Sequence, residues 1–166
     1  MIKVPEVSSF TAAPLRNRVR IEVNATAAQV WELIGDLARF PEYSAGLERV
    51  EATVDSRGRC TEYVCHFKPM EPGGERIVAR ERMRWWEPQR GHASSGAGSD
   101  AFGLSDDLHL VLIEPQAGST LIRWEEYYDA QDLPVMKAHF DEALADIAGH
   151  LIRRFGGKML ERYLER

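Results

Sequence analysis

The segment from Leu133 to Phe155 constrains the fold most, because its apolar residues recur at the spacing of one helix face. Steps of three and four separate the members of this stripe, which are Met136, Phe140, Ala143, Leu144, Ile147, Leu151 and Phe155. The spacing predicts an amphipathic α-helix of about six turns, about 33 Å long. Asp132 is its predicted N-cap, and Gly156-Gly157 ends it. So long an apolar stripe needs a broad apolar surface to pack against, which favours a sheet.

Composition sets the class of protein. The 166 residues suffice for one domain with its own core, and the net charge of −5 argues against a general nucleic-acid binder. Cys60 and Cys65 are too few for a disulfide framework, so we expect free thiols. The sequence shows neither a signal-peptide core nor an apolar run long enough to span a bilayer. We therefore expect a cytoplasmic protein with no integral membrane association.

The chain before the long helix reads mostly as strands. Arg18–Val23 alternates in polarity, and Thr26 with Gln29 forms a capping box that predicts the start of a helix. Gly35-Asp36 interrupts this helix, and Pro41 ends a second short one. Alternating segments separated by short turns follow from residue 47 to residue 128, and they predict an antiparallel meander.

Two stretches within the meander are unusual in composition. Gly91–Gly103 is rich in small residues, which indicates either a bulged strand or a mobile loop. A row of arginines shares one predicted strand face: Arg76, Arg80, Arg82 and Arg84. Such a row could bind nucleic acid, but the acidic total and the glutamates on neighbouring strands favour cross-strand ion pairs on a solvated face.

Three segments resemble the START/Bet v 1-like (SRPBCC) superfamily, in particular its polyketide cyclase/dehydrase and lipid-transport branch. Arg20–Trp31 is similar to the opening strand and first helix, Asp36–Tyr43 to the second helix, and Thr120–Tyr127 to the last strand. The resemblance covers residues 17–157. It implies an α+β helix-grip fold, in which a seven-stranded antiparallel sheet wraps around the long C-terminal helix and two short helices follow the first strand.

The resemblance also divides the chain. Residues 1–16 become an N-terminal arm, residues 17–157 a helix-grip ligand-binding domain, and residues 158–166 a C-terminal tail. The tail continues the helical pattern of the preceding segment and could dock on a second copy, which would make a homodimer. We expect the segment Gly91–Gly103 and the turn Pro69–Gly74 to form the mouth of the domain.

A cavity between sheet and helix is implied by the same resemblance, and a hydrophobic small molecule is the expected guest. Strand alternation and the helix stripe indicate which side chains face inward. The predicted ligand-binding residues are Tyr63, Phe67, Ile77, Glu81, Met83, Leu110, Trp124, Glu126, Met136, His139 and Phe140.

Glu81, Glu126 and His139 are the candidate catalytic residues. Both glutamates share strand parity with apolar residues, and a carboxylate in an apolar cavity is costly unless it is paired or protonated. Each could anchor a ligand hydroxyl or carbonyl, or act as a general acid or base. The structural alternatives are a shifted strand register or an arginine paired with each carboxylate. His139 lies beside the stripe and could bind a ligand or simply be a surface or core histidine.

Metal and cofactor motifs are missing from the sequence. It contains no HExxH motif, no Cys/His cluster and no phosphate-binding loop, so we expect no metal and no cofactor. The leading hypothesis is binding of a hydrophobic small molecule, such as a lipid or polyketide, in the cavity, with its transport as an extension of that role. A polyketide cyclase or dehydratase, using an inward carboxylate or histidine as acid or base, is the first alternative. A protein-interaction module is the second.

Overall fold

One antiparallel sheet and one long helix make up most of the fold. The computed structural model describes residues 4–97 and 102–166. Its strands are β1 (Leu15–Val23), β2 (Leu47–Val54), β3 (Cys60–Phe67), β4 (Val78–Glu87), β5 (Gly91–Gly96), β6 (Leu104–Gln116), β7 (Ser119–Ala130) and β8 (Gly157–Leu164). They lie in the order β2-β3-β4-β5-β6-β7-β1-β8. The helix-grip fold is confirmed, with eight strands where seven were predicted.

Two short helices follow β1, as predicted. The helix α1 (Ala27–Ile34) begins at the capping box, in which the Thr26 hydroxyl accepts a hydrogen bond from the Gln29 backbone. A 3-10 helix, Leu37–Glu42, follows and is capped by the Asp36 side chain. Val30, Leu33 and Ile34 of α1 pack into the main core, so this pair closes one end of the sheet.

The long helix α2 (Leu133–Phe155) has the predicted bounds. The Asp132 side chain accepts a hydrogen bond from the backbone of Val135 at its start. Leu144, Ile147 and Leu151 are buried in the main core against strands β1, β6 and β7. Within the described residues, no helix has the combination of length and apolar character that crossing a membrane requires.

The tail after α2 differs from the helical continuation that was predicted. It forms β8, antiparallel to β1, with Gly157 opposite Val23 and Leu164 opposite Asn17. Gly156 has a φ of 76°, which turns the chain back at the end of α2. A Cβ on Gly157 would lie 2.0 Å from the Glu22 carbonyl oxygen, so the close pairing requires glycine. The tail thus docks on its own chain.

β4 contains an irregularity that changes which tryptophan faces inward. The register with β5 shifts between Met83 and Trp85. Trp86 is consequently buried beside Trp31, whereas Trp85 packs on the outer face of the sheet. Strict alternation from Glu81 and Met83 would place Trp85 inside, and the β-bulge is the physical reason why Trp86 takes that position instead.

β6 is apolar on both faces. Val111 and Ile113 face the main core, while the leucines of β6 lie in an outer cluster: Leu108, Leu110 and Leu112. Val7 and Phe10 of the N-terminal segment cover this cluster, and the Thr11 hydroxyl donates to the Asp106 backbone carbonyl. The prediction that Leu110 faces the helix is therefore wrong. Alternation cannot identify the inner face of a strand whose two faces are both buried.

The predicted arginine row lies on the outer face of the sheet. Arg76 pairs with Glu48, and Arg80 pairs with Glu62 on the neighbouring strand β3. Arg82 and Arg84 are exposed, and Arg84 also hydrogen-bonds Ser95. These contacts agree with the cross-strand pairing that the sequence favoured.

The outer position of Leu110 predicts the effect of its truncation. Leu110→Ala removes a side chain that is 2 % exposed, so we expect a loss of about 2–5 kcal/mol in the free energy of unfolding. Leu160→Ala is the control, because Leu160 is 42 % exposed, and its effect should stay within about 0.5 kcal/mol. Urea denaturation measures both values, and similar losses in the two variants would contradict the outer-cluster assignment.

Candidate functional site

A cavity lies between α2 and the inner face of strands β3 to β7. Its volume is about 110 Å³, and apolar side chains form most of the wall. Phe67, Phe102 and Trp124 contribute aromatic surface, and Ala143 and Ile147 of α2 close the opposite side. α2 packs against β1 and β7, so the space is left toward β3 and β4.

The structure places most of the predicted ligand-binding residues in this wall. They are Tyr63, Phe67, Glu81, Trp124, Glu126, His139 and Phe140. The remaining four lie outside it. Leu110 belongs to the outer cluster, and Met83 precedes the shift in β4 and borders an open groove with Arg59. Ile77 is half-buried ahead of β4, and Met136 is buried one helical turn before the wall residue Phe140.

A mostly buried histidine surrounded by carboxylates forms the polar end of the cavity. His109 Nδ1 donates to the Glu126 carboxylate. On the other side of the ring, Nε2 lies 3.1 Å from Asp107 Oδ2 and 3.6 Å from Glu81 Oε1. We call these four residues the His109 cluster. The partner of Glu81 and Glu126 is thus a histidine, where the sequence had suggested an arginine.

Three strands bring the cluster together. Asp107 and His109 are two residues apart on β6 and share a face, and Glu126 is directly opposite His109 on β7. Glu81 is on β4, with β5 between it and β6, and its partner on β5 is Gly96. A Cβ at Gly96 would lie 3.2 Å from Asp107 Oδ1. The lack of a side chain on β5 therefore lets carboxylates from β4 and β6 approach one ring.

The electrostatics of the cluster follow from burial and from the excess of carboxylates. Burial lowers the pKa of His109, but Glu126 and Glu81 outweigh it and hold that pKa well above the usual range. Burial likewise opposes ionisation of Asp107, yet its bond with His109 holds its pKa below the ordinary value. Burial raises the pKa of Glu126, and His109 only partly compensates. The geometry gives a protonated imidazole that serves three acidic groups.

Two side chains of the wall carry buried polar atoms that have no hydrogen-bond partner among the described residues. Glu81 is 8 % exposed, and its Oε2 has no hydrogen-bond donor. Neither ring nitrogen of His92 has a hydrogen-bond partner. Burial lowers the pKa of His92 to about 4, so this ring is neutral. A buried acceptor without a donor costs free energy that a bound polar group would recover.

The remaining polar groups of the wall are neutral. The Tyr63 hydroxyl lies 2.7 Å from the Ser94 hydroxyl, and burial holds the pKa of Tyr63 well above its usual range. Burial also raises the pKa of the Cys65 thiol to about 12, which removes it as a nucleophile at neutral pH. Cys60 and Cys65 are both free, as predicted. His139 packs against Phe102 and Phe140, and burial lowers its pKa.

Sequence reasoning missed His109 and Asp107. Both share parity with Val111 and Ile113, which are as apolar as the three leucines of the other face. Taking Leu110 and the other leucines as the face of β6 toward the helix assigns His109 to the opposite, outer face. A usable signal existed, because His109 lies seven residues before Gln116 and Glu126 seven residues after Ser119, and these two residues pair at the turn between β6 and β7.

The predicted mouth falls partly outside the described residues. Gly91–Gly96 is strand β5, residues 98–101 are not described, and Phe102 and Leu104 line the cavity wall. The turn Pro69–Gly74 contributes no side chain to that wall. Its role at the mouth stays a prediction.

Solved structures with the same architecture share little sequence with this chain. A START superfamily protein from Mycobacterium smegmatis aligns with a TM-score of 0.70 and 16% identity, over 86% of this chain and 97% of that chain. The ZhuI aromatase/cyclase from Streptomyces sp. R1128 aligns with a TM-score of 0.68 and 16% identity, over 85% of this chain and 96% of that chain. A major latex-like protein from Panax ginseng aligns with a TM-score of 0.59 and 12% identity, over 81% of this chain and 95% of that chain. At these identities the likeness establishes the fold alone.

Sequence comparison identifies the family. No curated protein gives a significant match to the chain. Residues 15–165, which run from the start of β1 to just beyond β8, match the family described as polyketide cyclase / dehydrase and lipid transport. The match includes the tail that forms β8, beyond the limits set by the resemblance in sequence. The chain therefore belongs to the polyketide cyclase / dehydrase and lipid transport family.

Proposed function

We propose that this protein binds a hydrophobic small molecule that carries a hydroxyl or enol group, with the apolar part in the cavity and the polar group at Glu81. One observation carries the proposal. Among the described residues, Glu81 Oε2 is a buried acceptor without a donor, and its side chain lines a mostly apolar wall. A ligand O–H would donate to this oxygen and remove the desolvation cost of leaving it unpaired.

The shape of the wall supports a flat or ring-containing guest. Phe67, Trp124 and Phe140 present aromatic surface, and aromatic rings bind flat apolar molecules through offset or edge contacts. A volume of about 110 Å³ accommodates one ring or a short chain, so a larger ligand would displace side chains of the wall. His92 offers a second, neutral polar contact on the same wall.

The structural neighbours agree with this reading. A START superfamily protein and an aromatase/cyclase share the fold, and the family description names polyketide cyclisation and lipid transport. Polyketides and lipids are both largely apolar molecules, so both functions named by the family description agree with a mostly apolar cavity. The support is at the level of ligand class, because one fold carries several activities.

Filling the cavity tests the binding proposal. Ala143→Trp places an indole in the wall, so binding of the neutral fluorescent dye phenylnaphthylamine should weaken at least about tenfold, since the guest and the indole compete for one space. Ala138→Trp is the matched control on the exposed face of α2 and should bind like the parent protein. Equal affinity in the two variants, measured by fluorescence titration, would contradict the proposal.

The role of Glu81 is tested by comparing naphthol with naphthalene in metal-free buffer. A hydrogen bond to a charged acceptor is worth about 1 kcal/mol more than one to a neutral acceptor, so Glu81→Gln should reduce the preference for naphthol about fivefold. Glu62→Gln, on the outer face and paired with Arg80, is the control. An unchanged naphthol-to-naphthalene ratio in Glu81→Gln, measured by calorimetry, would remove Glu81 from the proposed contact.

A second candidate function is a cyclase or dehydratase, favoured by the adjacency of an acid and a base in the His109 cluster. Glu81 Oε2 would take a proton from a methylene between two carbonyls, and that carbon would bond to a second carbonyl of the same chain. His109 would donate a proton to the oxygen of the attacked carbonyl. Neutral His109 would then take the remaining proton of the former methylene carbon while protonated Glu81 gives its proton to the departing hydroxyl. The hydroxyl leaves as water, a carbon–carbon double bond forms, and both side chains return to their starting protonation states.

Mass spectrometry separates the enzyme from the carrier. A linear poly-β-ketone thioester incubated with the protein should yield a cyclic product lighter by one water, and Glu81→Gln should slow its formation at least about a hundredfold. Glu62→Gln should match the parent rate. A substrate that binds and is recovered unchanged would exclude the cyclase and leave the carrier proposal standing.

A further inference from the structure

The His109 cluster has the donor set and the spacing of a metal site. We propose that Glu81, Asp107 and His109 bind one divalent transition-metal ion, most suitably Zn²⁺, and that Glu126 orients the imidazole. The inference goes beyond the proposed function and does not depend on the identity of the ligand. It also departs from the sequence-based expectation of no metal, because the three residues come from two strands that are not neighbours in the sheet.

The distances fit shared coordination. One ligand atom from each of the three residues lies within 4.8 Å of the other two. His109 Nε2 is 3.1 Å from Asp107 Oδ2 and 3.6 Å from Glu81 Oε1. Two atoms bound at about 2.1 Å to one ion lie about 3.0 Å apart at a right angle and about 3.4 Å apart at the tetrahedral angle. Small side-chain movements would therefore suffice.

The charge of the cluster favours a cation. Three carboxylates share one imidazole, and no lysine or arginine of the described residues forms an ion pair with any of them. Glu125 provides a contrast on the outer face of β7, since it is equally buried yet pairs with Arg18 and Arg123. A divalent ion would neutralise the excess inside, where buried like charges are most costly.

Glu81 and Glu126 complete the site in different ways. Oε2 of Glu81 is buried and has no hydrogen-bond partner among the described residues, so no protein donor competes with an ion for this oxygen. Glu126 accepts a hydrogen bond from the Nδ1–H group of His109. The other ring nitrogen, Nε2, is therefore the atom that binds the metal, once the ion has replaced the proton on Nε2. The proton released from Nε2 passes to solvent.

The fourth coordination position would face the cavity, because Glu81 and His109 both line its wall. A site with three protein ligands and one open position is the arrangement of zinc centres that contact a small molecule directly. A hydroxyl or enol in the cavity could bind there. Carboxylate and imidazole donors suit Zn²⁺ and similar ions, whereas Ca²⁺ and Mg²⁺ prefer oxygen ligands alone.

Metal titration of the chelator-treated full chain tests the inference. Equilibrium dialysis should show one Zn²⁺ bound per chain, and Co²⁺ should give the visible absorption of a low-symmetry site. Glu81→Gln and Asp107→Asn should weaken Zn²⁺ binding at least about tenfold, and Glu126→Gln should do so by about tenfold to a hundredfold. These variants remove negative charge from a crowded cluster, so folding should persist, which circular dichroism verifies.

Two matched controls make the test specific. His66→Gln and Glu62→Gln alter an outer-face histidine and an outer-face carboxylate, and both should bind Zn²⁺ like the parent protein. Absence of stoichiometric binding by the parent, or equal affinity in Glu81→Gln and Glu62→Gln, would overturn the metal site. Dye binding measured on the same chelator-treated protein is independent of the metal, so failure of the site and failure of the cavity proposal are distinguishable.

Discussion

The packing of one straight helix against a wide curved sheet governs the rest of the structure. α2 contributes Leu144, Ile147 and Leu151 to the core formed with β1, β6 and β7, whereas the second core, under β2 to β4, is closed by Trp31 and Phe40 of the two short helices. No described element fills the space between these two cores completely. Close packing, which normally leaves few voids, therefore fails at one place. The cavity and the polar groups that line it depend on this mismatch.

The second consequence is electrostatic. Carboxylates on β4, β6 and β7 point into a space with few donors, and within the described part of the chain His109 is the one cationic group that they share. Burying these charged groups costs desolvation free energy. Stability alone does not require them, because apolar residues of similar volume would pack as well. Gly96 adds to the specificity of the arrangement, since its missing side chain permits Glu81 to reach across β5. Buried acidity of this kind is characteristic of sites that bind or react.

Much of the fold follows from local sequence signals, whereas the centre of the site does not. The stripe and caps of α2, the box at Thr26 and the inward position of Glu81 and Glu126 were predicted, because each depends on residues close in the chain. His109 was missed because β6 is apolar on both faces, and the outer face is covered by residues almost a hundred positions earlier. The bulge in β4 and the chain reversal at Gly156-Gly157 were missed for a related reason. Each depends on a tertiary contact that alternation does not encode.

The strand β8 has a mechanical consequence for access to the interior. It runs beside α2 on the flank away from the cavity, where Arg162 pairs with Asp141 and Lys137 lies 3.8 Å from Glu165. The opposite flank of α2 carries wall residues such as Phe140 and Ala143, and there the Asp146 side chain accepts a hydrogen bond from the backbone of Ala45. α2 is therefore tied to β8 on one flank and to the segment around the second short helix on the other, where Arg154 also pairs with Glu42. Moving the whole helix would break ion pairs or hydrogen bonds on either flank, so the frame around the cavity is stiff and a guest larger than the resting volume must be accommodated by the side chains of the wall.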